Sequence, residues 1–197
     1  EINFLVGVPR SGNTLISSVL NQNPNICLTA NSPLSGLLYE LDSLKKKSGS
    51  VGDILDNFPD EKSYSNIIKN IFYNYYSDWN QEYIFDRGVW GTPYHLKLLN
   101  RYFDFDFKFL ILRRKLVDVF ASFMKWSEEN PNNFINEITN FGSVDEKFDF
   151  LFNKNGNIMK MMSSTYEIIN SNYFHHIIWY NDFVNDTRKE VENFYTK

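Results

Sequence analysis

The clearest chemistry in this sequence sits where its first apolar run ends. Gly7-Val8-Pro9-Arg10-Ser11-Gly12-Asn13-Thr14 passes from the wholly apolar Phe4-Leu5-Val6 into an amphipathic stretch. Glycine and proline at such a junction form a tight turn, and the backbone N–H groups of the turn and of the helix it opens converge on an anion. Arg10 adds a cation to that turn. A second cluster follows the same logic: Phe109-Leu110-Ile111-Leu112 runs straight into Arg113-Arg114, with Ser122 on the next amphipathic stretch. Arginine at a strand end, with a hydroxyl beyond it, suits a phosphate, which accepts several charge-assisted hydrogen bonds. The third cluster is Asp86-Arg87, directly after Tyr83-Ile84-Phe85. It joins a carboxylate that could take a proton to a cation that could stabilise developing charge. Each cluster also has a plainer reading, as a turn or a surface ion pair. The first two, at matching places, point to an anionic substrate.

An alternation of short buried strands and longer helices must hold these residues. Residues 2–8 form a strand with no polar face, and 13–21 a helix with Leu15, Ile16, Val19 and Leu20 on one stripe. Residues 26–28 form a short strand, and Pro33 opens a helix carrying Leu34, Leu37, Leu38 and Leu41. The stretch 45–52 is a Gly/Ser-rich solvated loop. Further helices are expected over 61–77, 94–102, 116–129 and 187–195, and strands over 83–85, 107–112 and 176–179. Helical periodicity over 145–170 is interrupted at Asn155-Gly156. Such alternation predicts right-handed crossovers and a mainly parallel sheet covered on both faces, a three-layer αβα sandwich in a single domain spanning residues 1–197. Ligands of these sheets bind beyond the carboxyl ends of the strands, here after Val8, Phe85 and Leu112.

The first loop nearly matches the triphosphate-binding pattern G-x-x-x-x-G-K-S/T, but Asn13 stands at the lysine position. The clamp on β- and γ-phosphates is therefore missing, and Asp86 is the one candidate for a magnesium-binding aspartate. Pro9-Arg10-Ser11-Gly12-Asn13-Thr14-Leu15 resembles instead the 5′-phosphosulfate loop, P-x-S-G-T-T, of sulfotransferases that use 3′-phosphoadenosine-5′-phosphosulfate (PAPS). Leu112 to Ser122, L-R-R-K-L-V-D-V-F-A-S, is similar to their 3′-phosphate motif, an apolar strand followed by R-D-P-R-D-x-x-x-S. Trp179-Tyr180-Asn181-Asp182-Phe183 looks like their later Y-E-D-L segment. The likeness runs from Phe4 to about Phe194 and looks closest to bacterial or viral-type enzymes and the tyrosylprotein group, rather than to the cytosolic steroid and phenol enzymes.

The resemblance implies a P-loop nucleotide-kinase-like fold and transfer of a sulfuryl group from PAPS to a hydroxyl or amine, releasing 3′-phosphoadenosine-5′-phosphate (PAP). By the same resemblance Arg10, Ser11, Gly12, Asn13 and Thr14 would bind the 5′-phosphosulfate, Arg114 and Ser122 the 3′-phosphate, and Arg113 would be a neighbour. Arg10 and Arg87 are the candidates for stabilising charge on the departing oxygen. The tyrosylprotein group takes the acceptor's proton with a glutamate shortly after the second strand, where this chain has Leu28-Thr29-Ala30-Asn31-Ser32-Pro33. Asp86 is the replacement expected here, with a turn or ion-pair role as its alternative, and His95 stands second.

Composition removes other classes. A net charge of −4 argues against a general nucleic-acid binder. Hydrophobic residues at 43% argue against disorder. A lone cysteine, Cys27, rules out an intrachain disulfide and favours a reducing, cytoplasmic compartment. Three histidines without ligand spacing predict no metal site. No apolar stretch reaches the ~20 residues of a membrane helix. The chain opens on a strand without Met and stops in a helical segment, so trimmed ends are expected. Trp90, Tyr94 and Trp126 are the aromatics nearest the clusters, and aromatics at this density are more often core. Two rivals remain: a kinase on the same fold, disfavoured by Asn13, and a PAPS- or PAP-binding protein without turnover, favoured by the missing glutamate.

Overall fold

A computed structural model of the chain describes residues 1–29, 31–46, 49–104 and 106–196. The first half contains β1 (Ile2–Gly7), α1 (Asn13–Leu20), β2 (Ile26–Leu28), α2 (Leu34–Leu44), α3 (Ser50–Asn57), α4 (Glu61–Tyr75) and β3 (Tyr83–Arg87). There follow α5 (Pro93–Tyr102), β4 (Lys108–Arg113), α6 (Leu116–Glu129), α7 (Phe134–Ile138), α8 (Val144–Phe152) and α9 (Asn157–Ile169). The chain closes with β5 (Phe174–Trp179), α10 (Tyr180–Asn185) and α11 (Thr187–Tyr195). Five strands pair in the order β2-β3-β1-β4-β5, every pair parallel. Parallel neighbours cannot be joined by a hairpin, so each connection carries helices back across the sheet. The result is the three-layer α/β sandwich that the alternation predicts.

Side-chain alternation along the strands assigns the layers. Phe4 and Val6 of β1, Ile84 of β3, and Phe109 and Ile111 of β4 pack with α2, α4, α5 and Ile168 of α9. Leu5, Phe85, Leu110 and Leu112 face the other way, onto Ile16 and Leu20 of α1, Phe183 of α10 and the flank of α11. A third cluster forms around Val8, just past β1, with Val119 and Phe123 of α6, Ile135, Leu151 and Ile158. Phe4 is the hub of the first layer, with ring centroids of Trp90, Phe107 and Phe109 at 4.5, 5.3 and 5.5 Å.

Local signals explain several boundaries. Thr92 caps α5 by accepting from the His95 N–H, with Pro93 at the first helical position. Ser143 and Glu146 form a capping box at the start of α8. Three helices go beyond the sequence reading. The expected loop over 45–52 ends where α3 begins at Ser50, with Lys47 and Ser48 outside the described residues, and α7 and α10 are short helices. Two strands are longer than expected: β5 begins at Phe174, and β3, which bears on the site, runs on to Arg87 because Asp86 and Arg87 pair with Phe4 and Leu5. Among the described residues no helix is long and apolar enough to cross a membrane.

Asp42 fastens α2 to α5. Its buried carboxylate accepts from the Tyr102 hydroxyl at 2.6 Å, from Arg101 at 2.8 Å and from the Tyr94 hydroxyl, with Lys46 beside it. Burial alone would raise its pKa, but the two tyrosine hydroxyls and the charges of Arg101 and Lys46 outweigh it and hold the carboxyl at about 2. Replacement by Ala strands these donors and should cost about 3–5 kcal/mol in urea unfolding at pH 7. A folded-state pKa below the unfolded ~3.9 stabilises above that value. The difference between wild type and Asp42→Ala should therefore persist down to about pH 4 and shrink as pH falls towards about 2.

Candidate functional site

The chain leaves β1 towards β2 and leaves β4 towards β5, so connections part between these two central strands, where α/β sheets bind their ligands. At the end of β1 the backbone turns through two left-handed residues, Arg10 at φ 69° and Gly12 at φ 101°, while the Ser11 N–H donates to the Val8 carbonyl at 3.2 Å. Positive φ at a residue with a side chain is strained, and strain of this kind gathers at ligand sites. Gly12 is the N-cap of α1, and no side chain caps the helix. Its first N–H groups are thus left facing the turn. The Ser11 hydroxyl is fully buried without a hydrogen-bond partner among the described residues. Backbone donors, an unclaimed hydroxyl and a helix N-terminus make the loop a cradle for an anion.

The second cluster closes on the first. Arg10 Nε donates to Ser122 Oγ at 3.0 Å, and Arg114 Nη1 donates to the Arg10 carbonyl at 2.9 Å. The guanidinium of Arg114 lies 4.3 Å from the ring centroid of Tyr180, leaving its Nε buried and without a partner among the described residues. Tyr180 also covers the loop, since a Cβ at Gly12 would lie 2.3 Å from its ring. Arg113 points to the opposite layer. Its guanidinium carbon lies 4.6 Å from the centroid of Trp179, its partner in register on β5, and it donates to the Tyr166 hydroxyl at 2.7 Å.

On the β2–β3 side, a cavity of about 180 Å³ is lined by Gly7, Pro9, Asn13, Ser32, Ser35 and Arg87 among others. The β2–β3 ladder positions its cation: the Arg87 N–H donates to Thr29 Oγ1 at 2.7 Å, and its carbonyl accepts from the Ser32 N–H at 3.0 Å. Half-buried, Arg87 has its pKa pushed below the usual arginine range by loss of solvent.

The sequence matches one known family over nearly its whole length. The model described as the sulfotransferase family matches residues 3–197. This chain belongs to that family. Two solved structures share the fold. A sulfotransferase domain from the curacin biosynthetic pathway is 14% identical with a TM-score of 0.59, over 98% of this chain and 71% of its own. A sulfotransferase domain from the Synechococcus PCC 7002 olefin synthase is 17% identical with a TM-score of 0.60, over 98% of this chain and 70% of its own. No curated protein matches.

Within this sulfotransferase the predicted residues divide. Arg10 to Thr14, Arg114 and Ser122 come together at the junction of β1 and β4, and Arg87 borders the same loop from the β3 side. Asp86 does not join them. Expected just past the end of a strand, it lies within β3, and its side chain turns into the core layer. There it is fully buried and accepts from Trp90 Nε1 at 2.7 Å and from the Tyr76 hydroxyl. His95 is also withdrawn: one ring nitrogen bonds Thr92 and the other the Ser35 carbonyl, and burial lowers its pKa. In the stretch searched for a glutamate, Ala30 lies outside the described residues. Trp90 is core, Tyr94 serves Asp42, and Trp126 packs beside Phe134 of α7. The aromatics at the site are Tyr166, Trp179 and Tyr180. Tyr180 carried a sequence signal in the Y-E-D-L-like segment, whereas Tyr166 carried none.

Gly12→Ala should strain the loop twice, through its positive φ and through the Tyr180 ring. A loss of about 1–3 kcal/mol is expected in thermal unfolding. Adding Tyr180→Ala should relieve only the steric part, as a double-mutant cycle would show.

Proposed function

We propose that this sulfotransferase takes its sulfuryl group from PAPS and passes it to a hydroxyl or amine acceptor, releasing PAP. The observation that carries the reading is the contact between two motifs more than a hundred residues apart: Arg10 on Ser122, and Arg114 on the Arg10 carbonyl. One anion would rest on the loop N–H groups, the start of α1 and Ser11, and a second beside Arg114 and Ser122. That is the demand of a nucleotide with a 5′-phosphosulfate and a 3′-phosphate.

In the reaction the acceptor oxygen or nitrogen bonds to sulfur as the bond from sulfur to the bridging oxygen breaks, and the acceptor's proton passes to the departing phosphate or to water. The pair of electrons stays on the departing 5′-phosphate. Arg10 and the backbone donors of residues 11–14 would stabilise that charge, with Arg87 approaching from the β3 side. No carboxylate or imidazole among the described residues lines the cavity beside Arg87. The tyrosylprotein-like subgroup therefore gains no support from a matching base. The sequestration of Asp86 favours one rival, a protein that binds PAPS without turning it over.

Calorimetric titration with PAP, with and without magnesium and against ATP, tests the donor site. Metal-independent PAP binding well above that of ATP is expected. Arg114→Ala should weaken PAP roughly ten- to a hundredfold, the worth of a hydrogen bond to a charged group. Magnesium-dependent ATP binding without a response to PAP would hand the site to a kinase. Release of PAP from PAPS, assayed across hydroxyl and amine acceptors, separates turnover from binding alone.

A further inference from the structure

Arg113 and Arg114 are consecutive, yet strand alternation sends them to opposite layers. Arg113 enters a cavity of about 360 Å³ at the carboxyl ends of β4 and β5, which Arg114, bonded to the loop, also borders. Apart from its cations and Thr165, its walls are apolar or aromatic, among them Val8, Leu116, Met162, Ile169, Tyr166 and Trp179. Within it Arg113 is half-buried between the rings of Tyr166 and Trp179, at 4.9 and 4.6 Å from their centroids. All these partners are neutral, and among the described residues no ion pair includes Arg113. Ring faces attract a guanidinium without cancelling its charge, and one hydroxyl occupies one of its five N–H groups. A cation partly withdrawn from water and given no counter-ion is stabilised by an anion that enters beside it. Lys115 lines the same cavity and opens α6, whose first turn has no side-chain cap. The charge is thus concentrated at one end of an otherwise apolar space.

We propose that this cavity binds an anionic group carried on an apolar chain or ring, and that in the reaction it holds the acceptor. Val8 walls the cavity and leads directly into Pro9 of the loop, so an acceptor held here lies next to the donor site. The role as acceptor site rests on the sulfotransfer reading above; the ligand chemistry rests on the cavity's own residues.

Decanoate, with decanol as its neutral counterpart, tests the assignment by calorimetry on the whole chain. Wild type should bind decanoate at least about tenfold more tightly than decanol. Arg113→Met keeps a long apolar side chain between the two rings and should erase that preference, leaving decanol affinity unchanged. Arg113→Lys keeps charge but loses the planar fork and should retain part of it. PAP affinity should be unchanged in Arg113→Met. Equal binding of decanoate and decanol by wild type overturns the proposal without any variant. So does a PAP affinity that falls in Arg113→Met as far as in Arg114→Ala, which would make Arg113 part of the donor site. If wild type binds decanoate selectively but not PAP, the donor reading fails and the anion cavity stands.

Discussion

The contact on which the site depends is the approach of β4 to β1. Arg114, one residue past β4, reaches the carbonyl of Arg10 in the loop past β1. The strands are close enough that a Cβ on Gly7 would lie 3.0 Å from the Leu112 carbonyl. Glycine at that position is a condition for the two strand ends to meet. The sheet order makes the meeting central, since β1 and β4 are neighbours whose chains then diverge. Much of what else was described is support for that junction: the aromatic layer around Phe4 on one side, and Leu5, Leu110 and Leu112 against α1 on the other.

A chain with net charge −4 has gathered Arg10, Arg87, Arg113, Arg114 and Lys115 around the carboxyl edge of its sheet. Like charges so close repel, and here Arg10, Arg113 and Arg114 are held by neutral partners: a serine hydroxyl, a backbone carbonyl and aromatic faces. Such partners fix geometry without cancelling charge, which would suit the proposed binding of anions. Asp42 shows the opposite arrangement, with its charge matched internally between α2 and α5.

Much of this was legible in the sequence because it is written in short range. The strand–loop–helix at Gly7 to Thr14, the arginine pair after β4 and the serine eight positions beyond Arg114 are local patterns, and the structure brings them together. Asp86 shows where local reading runs out. Its position after an apolar triplet suggested a strand end, but pairing with Phe4 carried the strand two residues further and aimed the carboxylate into the core. Strand length is set by the neighbour, and that neighbour lies some eighty residues away in the chain. The Tyr166–Arg113–Trp179 stack was illegible for the same reason, since it joins α9, β4 and β5. The short helices α3, α7 and α10 have too few turns for periodicity to reveal them.

Tyr180 comes late in the chain and covers a loop formed near its start, while Trp179 beside it completes the stack on Arg113. Ribosomal synthesis therefore produces the anion cradle early and its cover last. A nascent chain that has emerged only as far as α9 presents strained, cation-rich loops with no aromatic roof. The proposed ligand site is thus completed when β5 docks on β4 and α10 folds back over the loop. A product stalled or cleaved before Phe174 would retain both arginine motifs yet lack the architecture that makes them a site.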